Sequence, residues 1–472
     1  MATMQTLPSE LLSEIFWHSL HHRIDFHAEL HLELQAPDDF MTRTVIRAPL
    51  LLGRVCSRWR TVSISTPKLW SYIAIGGHNS NMSENYRKDM EATQVWINRS
   101  GTYPLSFHIH HFTLIHQPGM ALRQTLHSVG SQSWRWKSLR AFIPIDFMKI
   151  LRAPLMEGNI ANLEDLHCHL EPGFDSKPFA LSSAPRLKRL YVHGEPFHIE
   201  LGDQIHHIEL IDIQSIYRKF SLGELLRYLN QFPSLTTLAL PIHESFLPHE
   251  LPTRIEHLNL RFLTLQLHHP IDPGPLFDRL VLPSLTSLMM SMEGLPKSDW
   301  PHLVPMLKRS CPPLHSLYLF DIPITEGTLI ECLSYTPHLI ELDVGFIECS
   351  DTILASLTID NAHGRHSNLC PHLQRFGTIS ASFSEIAFKN MILSRCLDHA
   401  SPTTDTIYGK SLKIVNCPSY GLEGILLDPD IRRCIRNGLK LVKSEMGEEW
   451  EEVEEDGYSN EEDGDEDEEW EG

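Results

Sequence analysis

Histidine is the residue of this sequence with the widest chemical repertoire, because its imidazole can bind metal ions and exchange protons near neutral pH. The chain holds 29 histidines among its 472 residues. Four adjacent pairs and one triplet stand out: His21–His22, His110–His111, His206–His207, His268–His269 and His167-Cys168-His169. Their spacing matches no zinc motif, and the sequence has no nucleophile elbow, phosphate-binding loop or H-E-x-x-H pattern. We therefore predict a protein without catalytic residues, metal or cofactor, and a metal-dependent enzyme is the less favoured alternative.

Several of these histidines lie in a segment that recurs along the chain. Its pattern is P-x-L-x-x-L-x-L, and the clearest copies are PSLTTLAL from Pro233, PSLTSLMM from Pro283, PPLHSLYL from Pro312 and PHLIELDV from Pro337. Weaker copies place the first apolar position at Leu139, Ile205 and Ile255. Between Leu139 and Leu373 the copies recur at a mean spacing of about 26 residues, which is typical of leucine-rich repeats.

Each copy predicts a β-strand, and the amphipathic segments between copies predict helices, as in residues 222–232, 302–311 and 327–336. The sequence thus predicts an α/β fold. The repeat resembles the leucine-rich repeat, which implies a solenoid with parallel strands on its concave face and helices on its convex face. The Asn or Cys that closes the family pattern is missing, so we expect an irregular solenoid over residues 136–443.

The concave face is the predicted surface for binding a protein target. In L-x-x-L-x-L the second and third leucines point inward, so the residues beside them point to the concave face. The candidate residues are Asp165, His167, Arg189, Tyr191, His207, Glu209, His257, Arg261, Tyr318, Phe320, Glu341 and Asp343. A solvated sheet face without a partner is the alternative for any one of them.

The N-terminal stretch from Leu7 to Leu20, LPSELLSEIFWHSL, predicts an amphipathic helix. Pro8 suits its first position, and apolar residues follow at helical spacing. A second stretch, from Ala48 to Trp70, holds V-C-x-R-W and then L-W. Such short helices are stable only when they pack together. A small N-terminal helical bundle is therefore expected.

The combination L-P-x-E-L-L-x-x-I-F, V-C-x-R-W and L-W resembles the F-box over about the first seventy residues. The whole arrangement is similar to F-box proteins of mushroom-forming (basidiomycete) fungi, although the joint between the first two helices is longer here. The resemblance implies a three-helix module that binds the Skp adaptor of cullin–RING ubiquitin ligases. The residues that match its core or adaptor surface are Leu7, Pro8, Leu11, Leu12, Ile15, Phe16, Val55, Trp59 and Trp70.

The predicted function is therefore that of a substrate-recognition subunit of an SCF-type cullin–RING ligase, with an unknown protein as its substrate. A leucine-rich-repeat scaffold without ubiquitin transfer is the alternative. The predicted domains are residues 1–75 for the F-box with its extended loop, 76–135 for a helix-strand-helix connection, 136–443 for the repeats and 444–472 for a disordered acidic tail. At the end of the repeats we expect a strand in residues 411–418 and a closing helix in residues 428–443.

Charge and cysteine usage complete these expectations. The net charge is −20, but 17 acidic residues and no Lys or Arg lie from Glu445 onward. Because the rest of the chain is nearly neutral, we expect no nucleic-acid partner. The nine cysteines are dispersed without a C-x-x-C pair, which favours reduced thiols in the cytoplasm or nucleus. No apolar stretch is long enough for a membrane span, and no secretory signal is expected.

Overall fold

The computed structural model describes residues 7–20, 49–76, 83–111, 120–157, 159–170, 179–181, 183–194, 199–201, 205–214, 220–245, 251–268, 271–292, 299–345, 347, 349–360, 368–379, 382–396, 412–417 and 422–443. The predicted disordered tail and most of the predicted loop after Leu20 lie outside these residues. The chain divides into two compact units, Met1–Glu341 and Leu342–Gly472. None of the helices described has the length and apolar character needed to span a membrane.

Helices of the first unit begin at the N-terminus and then alternate with strands. They are α1 (Ser9–Leu20), α2 (Leu52–Val55), α3 (Ser57–Ser65), α4 (Ser83–Arg99), α5 (Met120–Gly130), α6 (Ile145–Glu157), α7 (Leu222–Gln231), α8 (Gly274–Phe277), α9 (Leu303–Ser310) and α10 (Glu326–Ser334). The predicted helix over residues 222–232 is confirmed as α7. A capping box fixes its start, since the Ser221 hydroxyl and the Glu224 side chain each bond the other residue's backbone.

Strands of the first unit are short, as the repeat spacing predicts. They are β1 (Tyr72–Gly76), β2 (Leu105–His110), β3 (Trp136–Phe142), β4 (Asp165–Leu170), β5 (Phe179–Ala180), β6 (Arg189–Gly194), β7 (Ile199–Glu200), β8 (Leu210–Gln214), β9 (Phe220–Ser221), β10 (Thr237–Glu244), β11 (Ile255–Glu256), β12 (Phe262–Leu267), β13 (Leu280–Val281), β14 (Ser287–Met292) and β15 (Ser316–Phe320).

The main sheet of the first unit follows chain order, β1-β2-β3-β4-β6-β8-β10-β12-β14-β15, and β9 pairs with β10. The two-residue strands form separate pairs, β11 with β13 and β5 with β7. Neighbouring strands run parallel, for example with Leu238 opposite Leu263 and Leu263 opposite Leu288. Helices connect many of these strands, as parallel strands require long crossovers. The predicted α/β class with parallel strands is confirmed.

Alternate residues of each strand form the core of the first unit. Leu166, Leu190, Leu238, Leu263 and Leu288 are at most 1% exposed. Because the side-chain period of a strand is two residues, the other set of side chains points to the opposite side of the sheet. The repeated leucines therefore fix which residues share that second side.

The second unit contains β16 (Glu341–Gly345) except for Glu341, which belongs to the first unit, and then β17 (Arg375–Thr378), β18 (Ile414–Cys417) and β19 (Lys440–Lys443), in that order in the sheet. Its helices are α11 (Asp351–Leu357), α12 (Glu385–Cys396), α13 (Leu422–Leu426) and α14 (Pro429–Arg436). The expected strand in residues 411–418 is confirmed as β18. The expected closing helix over residues 428–443 is wrong in its second half, because Gly438 adopts a φ of 101° and the chain then forms β19.

The register predicted for three strands of the first unit is also wrong. Leu139 lies opposite Leu166, the second apolar position of its copy, so the first apolar position there is Trp136 and not Leu139. Ile211 lies opposite Leu238, so the first apolar position of that copy is Ile208 and not Ile205. Leu263 lies opposite Leu238, which moves the next copy from Ile255 to Leu260. Each of these stretches contains apolar residues at the repeat spacing in two registers, and pairing with the neighbouring strand selects the observed one. Leu258, which the predicted register would bury, is 60% exposed.

Candidate partner-binding surfaces

Helix α1 has one face that belongs to the core. Leu12 is fully buried and Phe16 is 1% exposed, as is Trp70. The Phe16 ring lies 4.8 Å from that of Trp59, at a tilted angle suited to aromatic pairs. The Trp70 indole N–H donates to the Ser63 carbonyl at 2.8 Å. These motif residues hold the N-terminal helices together.

Other motif residues stay at the surface. Leu11 is 53% exposed and Ile15 is 42% exposed. Since they are four residues apart on α1, their side chains share one face of the helix. Val55, at the end of α2, is 57% exposed and Leu51 is 43% exposed. These helices therefore present large apolar side chains that can contact a partner.

The remaining motif residues lie between these two groups. Pro8 is exposed, whereas Leu7 and Trp59 are half-buried. The Arg58 guanidinium donates to the Leu7 carbonyl, which ties the start of α1 to α3. The helices are thus cross-linked around the apolar residues that remain exposed.

The second candidate surface is the side of the first unit's main sheet opposite the buried leucines, called here the outer face. Its middle row consists of Ala74, His108, Arg140, His167, Tyr191, Asp212, Ala239, Thr264, Met289 and Tyr318, which lie in register on β1 to β15. The residues two positions before and after each member complete the outer face of β2 to β15. Side chains in register on adjacent strands are neighbours about 5 Å apart.

Aromatic and histidine rings gather where β3, β4 and β6 cross the outer face. The Phe142 ring meets that of His167 edge-on at 4.6 Å, and His167 stacks on Tyr191 at 5.0 Å. His193 lies 5.5 Å from His167 between ring centroids. The hydroxyl of Tyr72 on β1 lies 3.2 Å from Nδ1 of His108 on β2. The cluster spans adjacent strands without a break.

Charged groups border this cluster. Arg189 holds Asp165 through two hydrogen bonds, of which Nη2 to Oδ2 measures 2.9 Å. That pairing raises the pKa of Arg189. On the next strand, Nε2 of His193 lies 3.8 Å from Oδ2 of Asp212, a distance too long for a hydrogen bond. The charge of Asp165 is matched, and that of Asp212 is matched less closely.

Burial controls the protonation of the cluster. Burial, aided by the charge of Arg140, lowers the pKa of His108 to about 3. Burial likewise holds the pKa of His167 well below its usual range, and neighbouring His193 and Arg140 act in the same direction. Burial raises the pKa of Tyr191 to about 12. These side chains are therefore neutral at pH 7.

Most predicted target-binding residues of the first unit lie on the outer face, including Asp165, His167, Arg189, Tyr191 and Tyr318. Phe320 and Glu341 accompany Tyr318, whose hydroxyl donates to Glu341, and the Ser316 hydroxyl lies 3.3 Å from the same carboxylate. Four others do not lie there because of the register error: His207 and Glu209 precede β8, while His257 and Arg261 precede β12.

His257 has a different role from the one predicted. It is 3% exposed, and its Nδ1 accepts a hydrogen bond from the Leu260 amide at 3.1 Å. Its Nε2 must then carry the proton, and it lies 3.0 Å from the Phe232 carbonyl. This imidazole satisfies buried backbone and does not face a partner.

Sequence reasoning missed the residues that the corrected register brings to the outer face. Asp212 is the most notable, since it is 4% exposed and lies in register with Tyr191. The alternation in Leu210-Ile211-Asp212-Ile213-Gln214 was the signal that could have identified it. Phe142 was missed in the same way, because the predicted register counted it among the inward residues.

In the second unit, Asp343 lies on β16 above Gly377. A Cβ atom at Gly377 would lie 2.5 Å from Oδ2 of Asp343, so a larger residue there would displace the carboxylate. Burial raises the pKa of Asp343 to about 6, although Arg375 acts in the opposite direction. This carboxyl group can change charge in mildly acidic conditions.

Within the described part of the chain, no group of three or more His, Cys, Asp or Glu side chains is placed to hold a metal ion. Both surfaces present apolar side chains, hydrogen-bonding groups and charges. No protein-family model matches the chain, and no curated protein matches it significantly. The resemblance to the F-box therefore rests on the motif residues alone.

Proposed function

We propose that this protein is the substrate-recognition subunit of an SCF-type cullin–RING ubiquitin ligase. Its N-terminal helices act as an F-box that binds the Skp adaptor. The observation that carries the proposal is the division of the motif residues on α1. Leu12 and Phe16 build the core, while Leu11 and Ile15 present apolar side chains to the solvent. An adaptor would cover these exposed side chains.

The sheet of the first unit serves as the target-binding part of this proposal. Parallel strands in chain order, joined by helices, are compatible with an irregular leucine-rich-repeat solenoid whose concave side is the outer face. Such a protein makes and breaks no bonds itself. It raises the effective concentration of a bound target near the ubiquitin-loaded enzyme of the ligase.

Co-purification with the Skp adaptor tests the F-box assignment. The native chain should retain the adaptor, and the double substitution Leu11→Asp with Ile15→Asp should abolish retention, because two carboxylates would be buried in an apolar interface. Both positions are exposed, so circular dichroism should show an unchanged fold. The matched control is Ile386→Asp, a substitution of an apolar residue on α12 that is 73% exposed.

Failure of the native chain to bind the adaptor contradicts the proposal, as does full binding by the double variant. Target turnover then separates a ligase subunit from a scaffold. In cells carrying the double variant, a protein that binds the outer face should persist longer than in cells carrying the native chain. Unchanged turnover of every bound protein would favour the scaffold.

A further inference from the structure

Two buried polar atoms of the outer face lack hydrogen-bond partners among the described residues: Nε2 of His167 and Oδ1 of Asp212. Both residues are 4% exposed. A buried carboxylate oxygen without a donor is costly, and a ligand that supplies donors removes that cost. The pair therefore marks a place where a polar partner group would bind favourably.

The two atoms belong to one continuous cluster. Tyr191 lies between His167 and Asp212 in the middle row, stacked on the His167 ring at 5.0 Å. His193 lies near both His167 and Asp212. Its ring centroid is 5.5 Å from that of His167, and its Nε2 is 3.8 Å from Oδ2 of Asp212. An incoming group at Asp212 would also meet an aromatic ring.

The charges nearby favour a cationic group. Arg189 is already bound by Asp165 through two hydrogen bonds, and Asp212 has the His193 imidazole at 3.8 Å, so its charge is matched less closely than that of Asp165. Arg140 lies on the far side of His167, three strands from Asp212, or about 14 Å.

We propose that the cluster of His167, Tyr191, His193 and Asp212 binds an arginine side chain of the protein target. The planar guanidinium has five donors, which suit the Asp212 carboxylate and the His167 imidazole, and it stacks on aromatic rings such as Tyr191. This inference rests on the part of the proposed function that assigns target binding to the outer face. It does not depend on adaptor binding.

The test uses the full chain with ¹³C-labelled histidine and the peptide acetyl-Gly-Arg-Gly-amide, followed by NMR of the imidazole signals. His167→Asn and His193→Asn variants assign the two signals. Both signals should shift saturably with the arginine peptide. The citrulline analogue, which keeps the shape and loses the charge, should cause no saturable shift.

Asp212→Asn should weaken the affinity by about ten- to hundredfold, the loss expected for a charge-assisted hydrogen bond. The matched control is Glu244→Gln, which removes the same charge from an exposed residue at the end of β10. It should leave the affinity unchanged. Any binding of the peptide to the acidic C-terminal residues would be common to both variants.

Stability provides the readout that separates binding from structure. If the Asp212 carboxylate serves to bind a ligand, the midpoint of thermal unfolding of the Asp212→Asn variant should equal or exceed that of the native chain. Equal binding of the citrulline peptide, unchanged affinity in Asp212→Asn, or a lowered midpoint in that variant would each overturn the inference. None of these results bears on adaptor co-purification, so the two proposals fail separately.

Discussion

The outer face has two halves with the same backbone and different chemistry. On β2, β3, β4, β6 and β8, ten of its fifteen positions are ionisable, whereas none of the nine positions on β10, β12 and β14 is ionisable. In both halves the alternate residues are apolar and buried, and the strands run parallel in register. The inward residues therefore account for the shared backbone, and the outward residues account for the different chemistry of the two halves.

The two halves also differ in how polar groups are satisfied. Beside the neutral half, the Thr236 hydroxyl donates to the Glu209 carbonyl at 2.8 Å and the Thr286 hydroxyl donates to the Arg261 carbonyl at 3.0 Å. In the ionisable half, His167 and Asp212 each keep a buried atom without such a bond among the described residues. Among the described residues, the two halves therefore differ in how completely these polar groups are hydrogen-bonded.

The largest expected difference between the halves is their response to acid. The pKa of His108 is lowered to about 3 in the folded protein. Between pH 6.5 and 3 the His108 imidazole is therefore protonated in the unfolded chain and neutral in the folded protein. The free energy of unfolding should therefore fall as the pH drops through 6.5. The loss contributed by His108 between pH 7.5 and 5 is about 2 kcal/mol. His167 adds in the same direction.

Chemical denaturation at the two pH values measures this loss, and the double variant His108→Asn with His167→Asn should reduce it. Hydrogen exchange resolves which half opens. Protection in β2 to β6 should fall first, while β12 and β14 should respond less. Equal losses of protection in both halves would show that the two halves do not differ in their response to acid.

The second prediction concerns a histidine beside the neutral half, where the imidazole stabilises the backbone. His257→Ala removes hydrogen bonds that involve the Leu260 amide and the Phe232 carbonyl, and it leaves a cavity. The free energy of unfolding at pH 7.5 should fall by about 2–4 kcal/mol. A loss below about 0.5 kcal/mol would show that neither bond matters.

The smallest effect is expected on the outer face of the neutral half itself. Phe262 is 37% exposed on β12, and Phe262→Thr keeps the strand propensity. The free energy of unfolding should change by less than about 1 kcal/mol. Thermal unfolding beside the His257→Ala variant provides the comparison. A loss of stability in Phe262→Thr as large as that in His257→Ala would mean that Phe262 on the outer face contributes to folding.

The sequence was sufficient for the α/β class because leucines at fixed spacing must be buried on one side of each strand. It was insufficient for β3, β8 and β12, where the spacing fits in two registers. Only the neighbouring strand selects between them, for example between Ile205 and Ile208 before β8. The end of α14 was also not predicted, because it depends on the positive φ that Gly438 adopts.

The candidate sites could be predicted only in part for the same reason. The motif named Leu11, Leu12, Ile15 and Phe16 together, but their separation into exposed and buried side chains depends on Trp59 and Trp70, which follow more than forty residues later. His257 binds a carbonyl 25 residues away. Asp212 acquires its neighbours only when the strand register is known.

The chain-order pairing of the first unit's main sheet has a consequence for its synthesis. Partners in register are separated by as few as 21 residues, from Leu190 to Ile211, and by no more than 34, from Ile73 to Phe107. Contacts so close along the chain have a low entropic cost of closure. Each new strand can therefore pair with the one before it as the polypeptide leaves the ribosome, so the sheet can grow in the direction of translation.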